Sequence, residues 1–219
     1  MIKSVIFDLD GTLLDRDKSV IFFLERQYER LHPWLKSIPK ESYIARFIEL
    51  EDHGYVWKAK VYTQMVDEFG IQGCTSELLL QDYLDHFQAS CIAFPGMVST
   101  LQSLREKGFK LGMITNGLEI MQTRSIRGLG IEPFFEEILI SEKEGCAKPN
   151  PIIFQRALER LNVKTEEAVY VGDHPVNDIE AAQLVGMKAV WKKHSFSQNV
   201  KADAEIDELE ELFGILERF

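Results

Sequence analysis

Two aspartates stand at the end of the first apolar run of the chain, in the segment Val5-Ile-Phe-Asp-Leu-Asp-Gly-Thr-Leu-Leu-Asp15. The run before Asp8 is typical of a strand that is covered on both faces of a parallel sheet. Asp8 and Asp10 share one face of an extended chain, and Leu9 turns the other way. Two carboxylates this close repel each other unless a cation or a proton lies between them. An ordinary Asp-Gly turn is the simpler interpretation of the same residues.

A second apolar run, over residues 109–115, ends in a hydroxyl and an amide, those of Thr115 and Asn116. The pattern predicts a helix directly afterwards, and the unpaired N–H groups and dipole at its start favour an anion. Either side chain could instead be the N-cap of that helix. The pair alone therefore indicates an anion site or a helix start.

A lysine between two apolar segments is the third candidate. Lys148 opens the sequence Lys-Pro-Asn-Pro-Ile-Ile-Phe, just before a predicted helix. A lone lysine in a loop is usually a solvated surface charge. The flanking prolines would restrict the loop and hold the ammonium group in place.

Two further aspartates follow the predicted strand over residues 168–171. Asp173 lies at the strand end, and Asp178 lies five residues later, in the first turn of the next helix. The helix dipole alone could explain Asp178. A strand-end acid beside Asp8 and Asp10 is strongly unfavourable without a cation, and a set of carboxylate oxygens is what Mg²⁺ prefers.

Taken in order, these four segments resemble the four motifs of the haloacid dehalogenase (HAD) superfamily, whose members are mostly Mg-dependent phosphatases. The resemblance spans the chain from Val5 to Ala182. It implies catalysis through an aspartyl-phosphate, with Asp8 as the nucleophile and Asp10 as the general acid and base. A haloacid dehalogenase usually has Tyr where Asp10 stands, so the sequence departs from that branch.

The resemblance also assigns the remaining residues of the site. It implies that the catalytic groups include Thr115 and Lys148, and that the phosphate is bound by Asp8, Leu9, Asp10, Thr115, Asn116 and Lys148. It implies that Mg²⁺ is bound by the Asp8 carboxylate, the Asp10 backbone carbonyl and the Asp173 carboxylate, with Asp178 ordering a metal-bound water or Lys148.

Composition limits the partners of the protein. The 219 residues are 45% hydrophobic and can bury a sizeable core, and the formal net charge is -10. An acidic chain is a poor partner for a nucleic-acid polymer or an anionic membrane. No export signal or membrane-spanning run stands out, and the three cysteines are far apart and fit no disulfide framework, so we expect a cytoplasmic protein with reduced thiols.

The order of helical and strand patterns predicts the architecture. Helical patterns over 16–31, 38–50, 55–69 and 78–92 lie between the first strand and a βαβα alternation that begins near residue 97. We expect an α/β, Rossmann-like, mostly parallel sheet with helices on both faces, formed by residues 1–14 and 94–219. Residues 15–93 are expected to form an inserted α-helical cap. A loop is expected over 195–203 and a closing helix over 206–219.

The favoured function is Mg-dependent hydrolysis of a small-molecule phosphate monoester. Two alternatives remain open: a sugar phosphomutase of the same family, and a phospho-acceptor signalling domain without turnover. Nucleotides, sugar phosphates and two- or three-carbon acid phosphates are equally suitable substrates at this point, and no pattern fixes the oligomeric state. Side chains that could contact a substrate or simply pack and face solvent are Arg46, His53, Trp57, Lys58, Lys60 and His174.

Overall fold

The computed structural model describes residues 1–193 and 200–219. The chain divides into two compact units, one formed by Met1–Arg16 with Ile92–Phe219 and the other by Asp17–Cys91. Residues 194–199, the larger part of the expected loop, lie outside the described residues. Along the part of the chain that is described, no helix is long and apolar enough to cross a membrane.

The first unit is built on a parallel sheet. Its strands are β1 (Ser4–Phe7), β2 (Lys110–Thr115), β3 (Glu137–Ile140), β4 (Ala168–Gly172), β5 (Lys188–Lys192) and β6 (Ala204–Ile206). Among the described residues they form one six-stranded sheet in the order β3-β2-β1-β4-β5-β6, and every neighbouring pair is parallel. This topology confirms the predicted α/β, Rossmann-like fold.

Helices surround this sheet. They are α6 (Met97–Glu106), α7 (Glu119–Leu129), α8 (Ser141–Glu144), α9 (Pro151–Leu161), α10 (Ala181–Leu184) and α11 (Leu212–Leu216), and a π-helical turn, Pro175–Glu180, precedes α10. All residues of β1 are buried although successive side chains point to opposite faces, so both faces of the sheet centre are covered. On one face, Ile6 and Tyr170 share a core cluster with Phe154 of α9, whose ring meets that of Tyr170 edge-on.

The second unit is helical. It contains most of α1 (Arg16–Arg30), followed by α2 (His32–Leu35), α3 (Lys40–Glu51), α4 (Lys58–Phe69) and α5 (Ser76–His86). Its centre holds the buried amide of Gln27, whose oxygen accepts hydrogen bonds from the hydroxyls of Tyr43 and Tyr62 at 2.9 Å. The Gln27 nitrogen donates to the carbonyl of Leu79 and to Asp82. A buried amide with partners for both its oxygen and its nitrogen stabilises one arrangement of these helices.

Two of the predicted helices in this unit have shifted boundaries. The helix predicted from residue 55 begins at Lys58, because Trp57 adopts an extended backbone conformation with ψ 135° that a helix cannot include. The helix predicted over 78–92 spans Ser76–His86, because the hydroxyl of Thr75 accepts a hydrogen bond from the Leu78 N–H and caps an earlier start.

The prediction of one helix over 206–219 is wrong. Ile206 ends strand β6, pairs with Lys192 of β5 and is fully buried, and the only α-helix among the described residues after it is α11. Glu208, whose N–H donates to the Glu211 carboxylate, begins the short turn that precedes α11. The apolar spacing is helical, but pairing with the edge of the sheet outweighs this local preference.

We expect Ile206→Ala to lower the free energy of unfolding by about 2–4 kcal/mol, because it leaves a cavity under the edge strand. The neighbouring Glu205 is exposed, and we expect Glu205→Ala to cost less than about 0.5 kcal/mol. Urea unfolding of both variants measures the difference. Equal losses would contradict a strand at this edge, because adjacent side chains of a strand point to opposite faces of the sheet.

Candidate active site

The site lies where two neighbouring strands end. Asp8 directly follows β1, and Asp173 directly follows β4, which pairs with β1 through Phe7 and Val171. From β1 the chain adds β2 and β3 on one side of the sheet. It then adds β4, β5 and β6 on the other side, so the strand order reverses between β1 and β4. Such a switch point leaves a crevice at the carboxyl ends of the strands, where ligands bind in α/β proteins.

Lys148 is the cation at the centre of the site. Its Nζ lies 2.6 Å from Asp8 Oδ1, 2.6 Å from Asp178 Oδ1 and 2.9 Å from the Tyr170 hydroxyl. An ammonium group has three hydrogens, and these three partners use all of them. Lys148, Asp8 and Asp178 are each no more than 5% exposed, so Lys148 is not a solvated surface charge. The two carboxylates outweigh the effect of burial and hold the pKa of Lys148 well above its usual range.

Asn116 fixes the backbone of Lys148. Its Nδ2 donates to the Lys148 carbonyl, and its Oδ1 accepts from the Lys148 N–H, both at 2.9 Å. This reciprocal pair ties the end of β2 to the lysine loop. Neither Asn116 nor Thr115 is the N-cap of α7, because the residue in that position is Leu118 and the Glu119 N–H is bound by the Glu142 carboxylate.

Carboxylates exceed cations in this crevice. Oxygen atoms of Asp8, Asp173 and Asp178 all lie within 4.8 Å of one another. Burial raises the pKa of Asp8 to about 7. The charge of Asp178 adds to this rise, and the attraction of Lys148 opposes it. Burial and the charges of Asp8 and Asp178 also raise the pKa of Asp173 well above its usual range. Gly11, at φ +83°, leaves the room that the Asp173 carboxylate occupies, since any Cβ there would overlap it.

Asp10 lies beside these acids, in a less buried position. Its Oδ2 accepts a hydrogen bond of 2.7 Å from Gln122, and its Oδ1 lies 4.0 Å from Arg16 Nε. Gln122 also donates to the hydroxyl of Thr115, at 2.6 Å. The structure thus joins the residues that follow β1 to those that follow β2.

The structure brings together the sequence-predicted residues at one end of the sheet, and it adds two others. Asp8 and Asp178 share Lys148 as a partner, Asp10 and Thr115 share Gln122, and Asp173 lies beside Asp8. Leu9 is fully buried, and its backbone carbonyl accepts from the chain that turns back over it. Sequence patterns missed Tyr170 and Gln122, which look like an ordinary strand residue and an ordinary helix residue.

Three of the remaining candidates have structural partners. His174 Nδ1 accepts from the N–H groups of Val176 and Asn177, so this side chain caps the turn that carries Asp178. In the helical unit, Arg46 pairs with Glu68 and Glu49. Lys58 forms a buried ion pair of 2.6 Å with Glu51. These contacts account for the positions of all three side chains without a substrate.

We expect Lys148→Met to lower the free energy of unfolding at pH 8 by about 3–5 kcal/mol, because Asp8 and Asp178 lose a buried partner. Lys3→Met is the matched control, because its ion pair with Glu167 lies at the surface, is screened by solvent and contributes little to stability. Chemical denaturation without divalent cations compares the two. Similar losses would show that the buried pair does not hold the site together.

The raised pKa of Asp8 predicts a pH dependence of stability. Between its ordinary value of 3.8 and about 7, the folded chain holds a proton that the unfolded chain has released. Stability without metal therefore falls as the pH rises through this interval, by at most about 4 kcal/mol. A cation bound to the carboxylates offsets this loss.

We accordingly expect Mg²⁺ to raise the melting temperature more at pH 8 than at pH 5, measured against a chelator by thermal unfolding. Asp8→Asn should reduce the difference between the two pH values. A rise of equal size at both pH values would contradict the link between Asp8 ionisation and cation binding.

Comparison with known proteins places this geometry in a family. The family model described as haloacid dehalogenase-like hydrolase matches residues 5–192. The glyceraldehyde 3-phosphate phosphatase of Methanopyrus kandleri is 44% identical over 130 residues, an alignment that covers 56% of this chain and 56% of the relative. In that alignment the chain spans only about half the length of the relative.

Other relatives match over nearly their full length. The glyceraldehyde 3-phosphate phosphatase of Pyrococcus abyssi is 33% identical over 226 residues, covering 99% of this chain and 94% of the relative. The crystal structure of the HAD-hydrolase YfnB from Bacillus subtilis, bound to magnesium, is 27% identical with a TM-score of 0.76 and covers 98% of each chain. The extent of these matches confirms the resemblance in the four motifs: the chain belongs to the haloacid dehalogenase-like hydrolase family.

Proposed function

We propose that this chain is a phosphatase that hydrolyses small phosphate monoesters through a phosphoryl group carried on Asp8. The observation that carries the proposal is the arrangement of Asp8 at a strand end, held by Lys148 at 2.6 Å and accompanied by Asp10. A buried carboxylate with a fixed cation on one oxygen is a positioned nucleophile. A second carboxylate two residues away supplies the proton transfers that ester hydrolysis needs.

In the first step, an oxygen of the Asp8 carboxylate attacks phosphorus while the bond from phosphorus to the ester oxygen breaks. Asp10 gives its proton to that oxygen, so the alcohol leaves as a neutral molecule. The phosphoryl group remains on Asp8. In the second step, Asp10 takes a proton from water, the water oxygen bonds to phosphorus, and the bond to Asp8 breaks. Inorganic phosphate leaves, and both aspartates return to their starting states.

The chain also provides groups for the negative charge on the transferring oxygens. Lys148 is already fixed beside Asp8, so its charge acts where the phosphoryl group would bind. Thr115 lies at the end of β2, is 1% exposed, and its hydroxyl accepts a hydrogen bond from Gln122. Because these groups are positioned before the substrate binds, little reorganisation accompanies the reaction.

The donor set fits Mg²⁺. Carboxylate oxygens in excess of cations, with raised pKa values at Asp8 and Asp173, form a site that a hard divalent ion would relieve. The carboxylates of Asp8 and Asp173 and the backbone carbonyl of Asp10 would hold it. Asp178 is engaged with Lys148 and the His174 N–H, so we assign it the role of positioning Lys148. When bound, Mg²⁺ neutralises charge on the phosphoryl oxygens.

The proposed substrates are small phosphorylated metabolites rather than nucleic-acid polymers. The relatives from Methanopyrus kandleri and Pyrococcus abyssi are named glyceraldehyde 3-phosphate phosphatases, so three-carbon phosphate esters are the first class to test. We propose a cytoplasmic setting, consistent with Cys74, Cys91 and Cys146, which form no disulfide. The helical unit, Asp17–Cys91, is proposed to be the cap that its place between the first two motifs suggests.

The acid at Asp10 weighs against a domain that only accepts a phosphoryl group, because such a domain has no need to protonate a leaving alcohol. A mutase differs from a phosphatase only in what attacks the phosphoryl group. Release of inorganic phosphate, rather than formation of an isomeric ester, therefore separates these two outcomes.

We expect phosphate release from three-carbon esters that requires Mg²⁺ and that falls roughly a thousandfold or more in Asp8→Asn, because the nucleophile is lost. Asp207→Asn makes the same change at an exposed aspartate of the same unit and should retain full activity. Steady-state phosphate assays with Mg²⁺ and with chelator measure both. Normal turnover by a folded Asp8→Asn variant would eliminate the proposed mechanism.

A further inference from the structure

Gln122 of α7 joins two groups that the mechanism uses separately. Its side chain is buried, and its Nε2 donates to Asp10 Oδ2 at 2.7 Å and to Thr115 Oγ1 at 2.6 Å. We propose that Gln122 is a positioning residue that orients the proton-transfer group Asp10 and the phosphoryl-binding hydroxyl of Thr115 together. This inference rests on the proposed phosphatase function and extends it to a residue outside the four motifs.

The two hydrogens of the Gln122 side-chain amide determine how the bridge is arranged. Asp10 Oδ2 accepts a hydrogen bond both when the carboxyl group has lost its proton and when it carries the proton on Oδ1, so the Gln122 amide turns its NH₂ group, and not its oxygen, toward Asp10. The two hydrogens of that group are then used by two acceptors. Because the Thr115 oxygen accepts one of them, the Thr115 hydroxyl hydrogen remains for a different acceptor, and in the proposed mechanism this acceptor is a phosphoryl oxygen.

The Asp10 side chain is less restrained by its surroundings than the Thr115 side chain. Its side chain is 31% exposed, and its Oδ1 lies 4.0 Å from Arg16, beyond hydrogen-bond distance. The bond from Gln122 fixes Oδ2 and leaves Oδ1 to exchange a proton with the leaving oxygen and with water. Correct placement of a catalytic group contributes at least about tenfold to such a step.

Gly117 provides a second, independent observation. A Cβ at this position would lie 3.0 Å from both Cγ and Cδ of Gln122, and the backbone angle φ is +148°. Any larger residue would therefore press on the Gln122 side chain and strain the turn. The loop between β2 and α7 is shaped to admit the bridging amide.

The test is the dependence of Gln122→Met on the leaving group. Methionine has a similar length but cannot donate. p-Nitrophenyl phosphate needs little protonation of its leaving group, whereas phenyl phosphate needs more. Loss of the bridge to Thr115 should lower kcat/KM for both esters, and loss of the bridge to Asp10 should lower it about tenfold further for phenyl phosphate.

The double variant with Asp10→Asn should show no further change in the ratio of the two kcat/KM values, since the group that Gln122 positions is already lost. Gln102→Met makes the same substitution at an exposed glutamine of α6, which donates to Glu106, and should leave both rates unchanged. Equal losses for the two esters in Gln122→Met would reduce Gln122 to a structural role and overturn the proposal.

A measurement without turnover tests the bridge itself. The two side-chain amide protons of Gln122 should respond separately in NMR spectra: Asp10→Ala should shift one and Thr115→Val the other. Chemical shifts of the amide protons that change in neither variant would overturn the proposal, even if Gln122→Met fails to fold. Failure of the native chain to hydrolyse any ester would instead overturn the proposed function. The NMR shifts would then still test whether Gln122 bridges Asp10 and Thr115.

Discussion

The crevice at the carboxyl ends of β1 and β4 depends on one buried ammonium group. Lys148 donates its three ammonium hydrogens to Asp8, Asp178 and the Tyr170 hydroxyl, and each bond fixes a different part of the site. The bond to Asp8 holds the proposed nucleophile after β1, and the bond to Asp178 connects it to the turn that follows β4. Asn116 secures the lysine backbone to the end of β2. Without this cation, buried carboxylates would meet with nothing to offset their repulsion.

The sheet order explains why so much charge can be concentrated in one place. Adjacent parallel strands β1 and β4 end at the same edge, so Asp8 and Asp173 lie close together without any long loop to bring them there. Their raised pKa values show that the fold places them against their electrostatic preference. Such an arrangement is tolerated where a ligand relieves it, and the ligands that we propose are a divalent cation and a phosphate ester.

The sequence was sufficient to predict the α/β core and the positions at its strand ends, because Asp8, Lys148 and Asp173 combine an unusual residue type with a defined place in a motif. Tyr170 and Gln122 could not be found in the same way. A tyrosine in an apolar strand looks like core, and a glutamine in a helix looks like surface, so only their three-dimensional partners reveal them. The end of the chain shows the opposite failure: the helical spacing around Ile206 is real, but the open edge of β5 determined a strand.

The most direct measurement is the location of the phosphoryl group during turnover. Asp10→Asn with p-nitrophenyl phosphate and Mg²⁺ should accumulate phosphoenzyme, because the first step needs little acid and the second needs a base. Rapid quenching followed by peptide mass spectrometry should place the added mass on Asp8. Phosphate on any other residue, or hydrolysis that never passes through a phosphorylated chain, would contradict the assignment of Asp8 as the nucleophile.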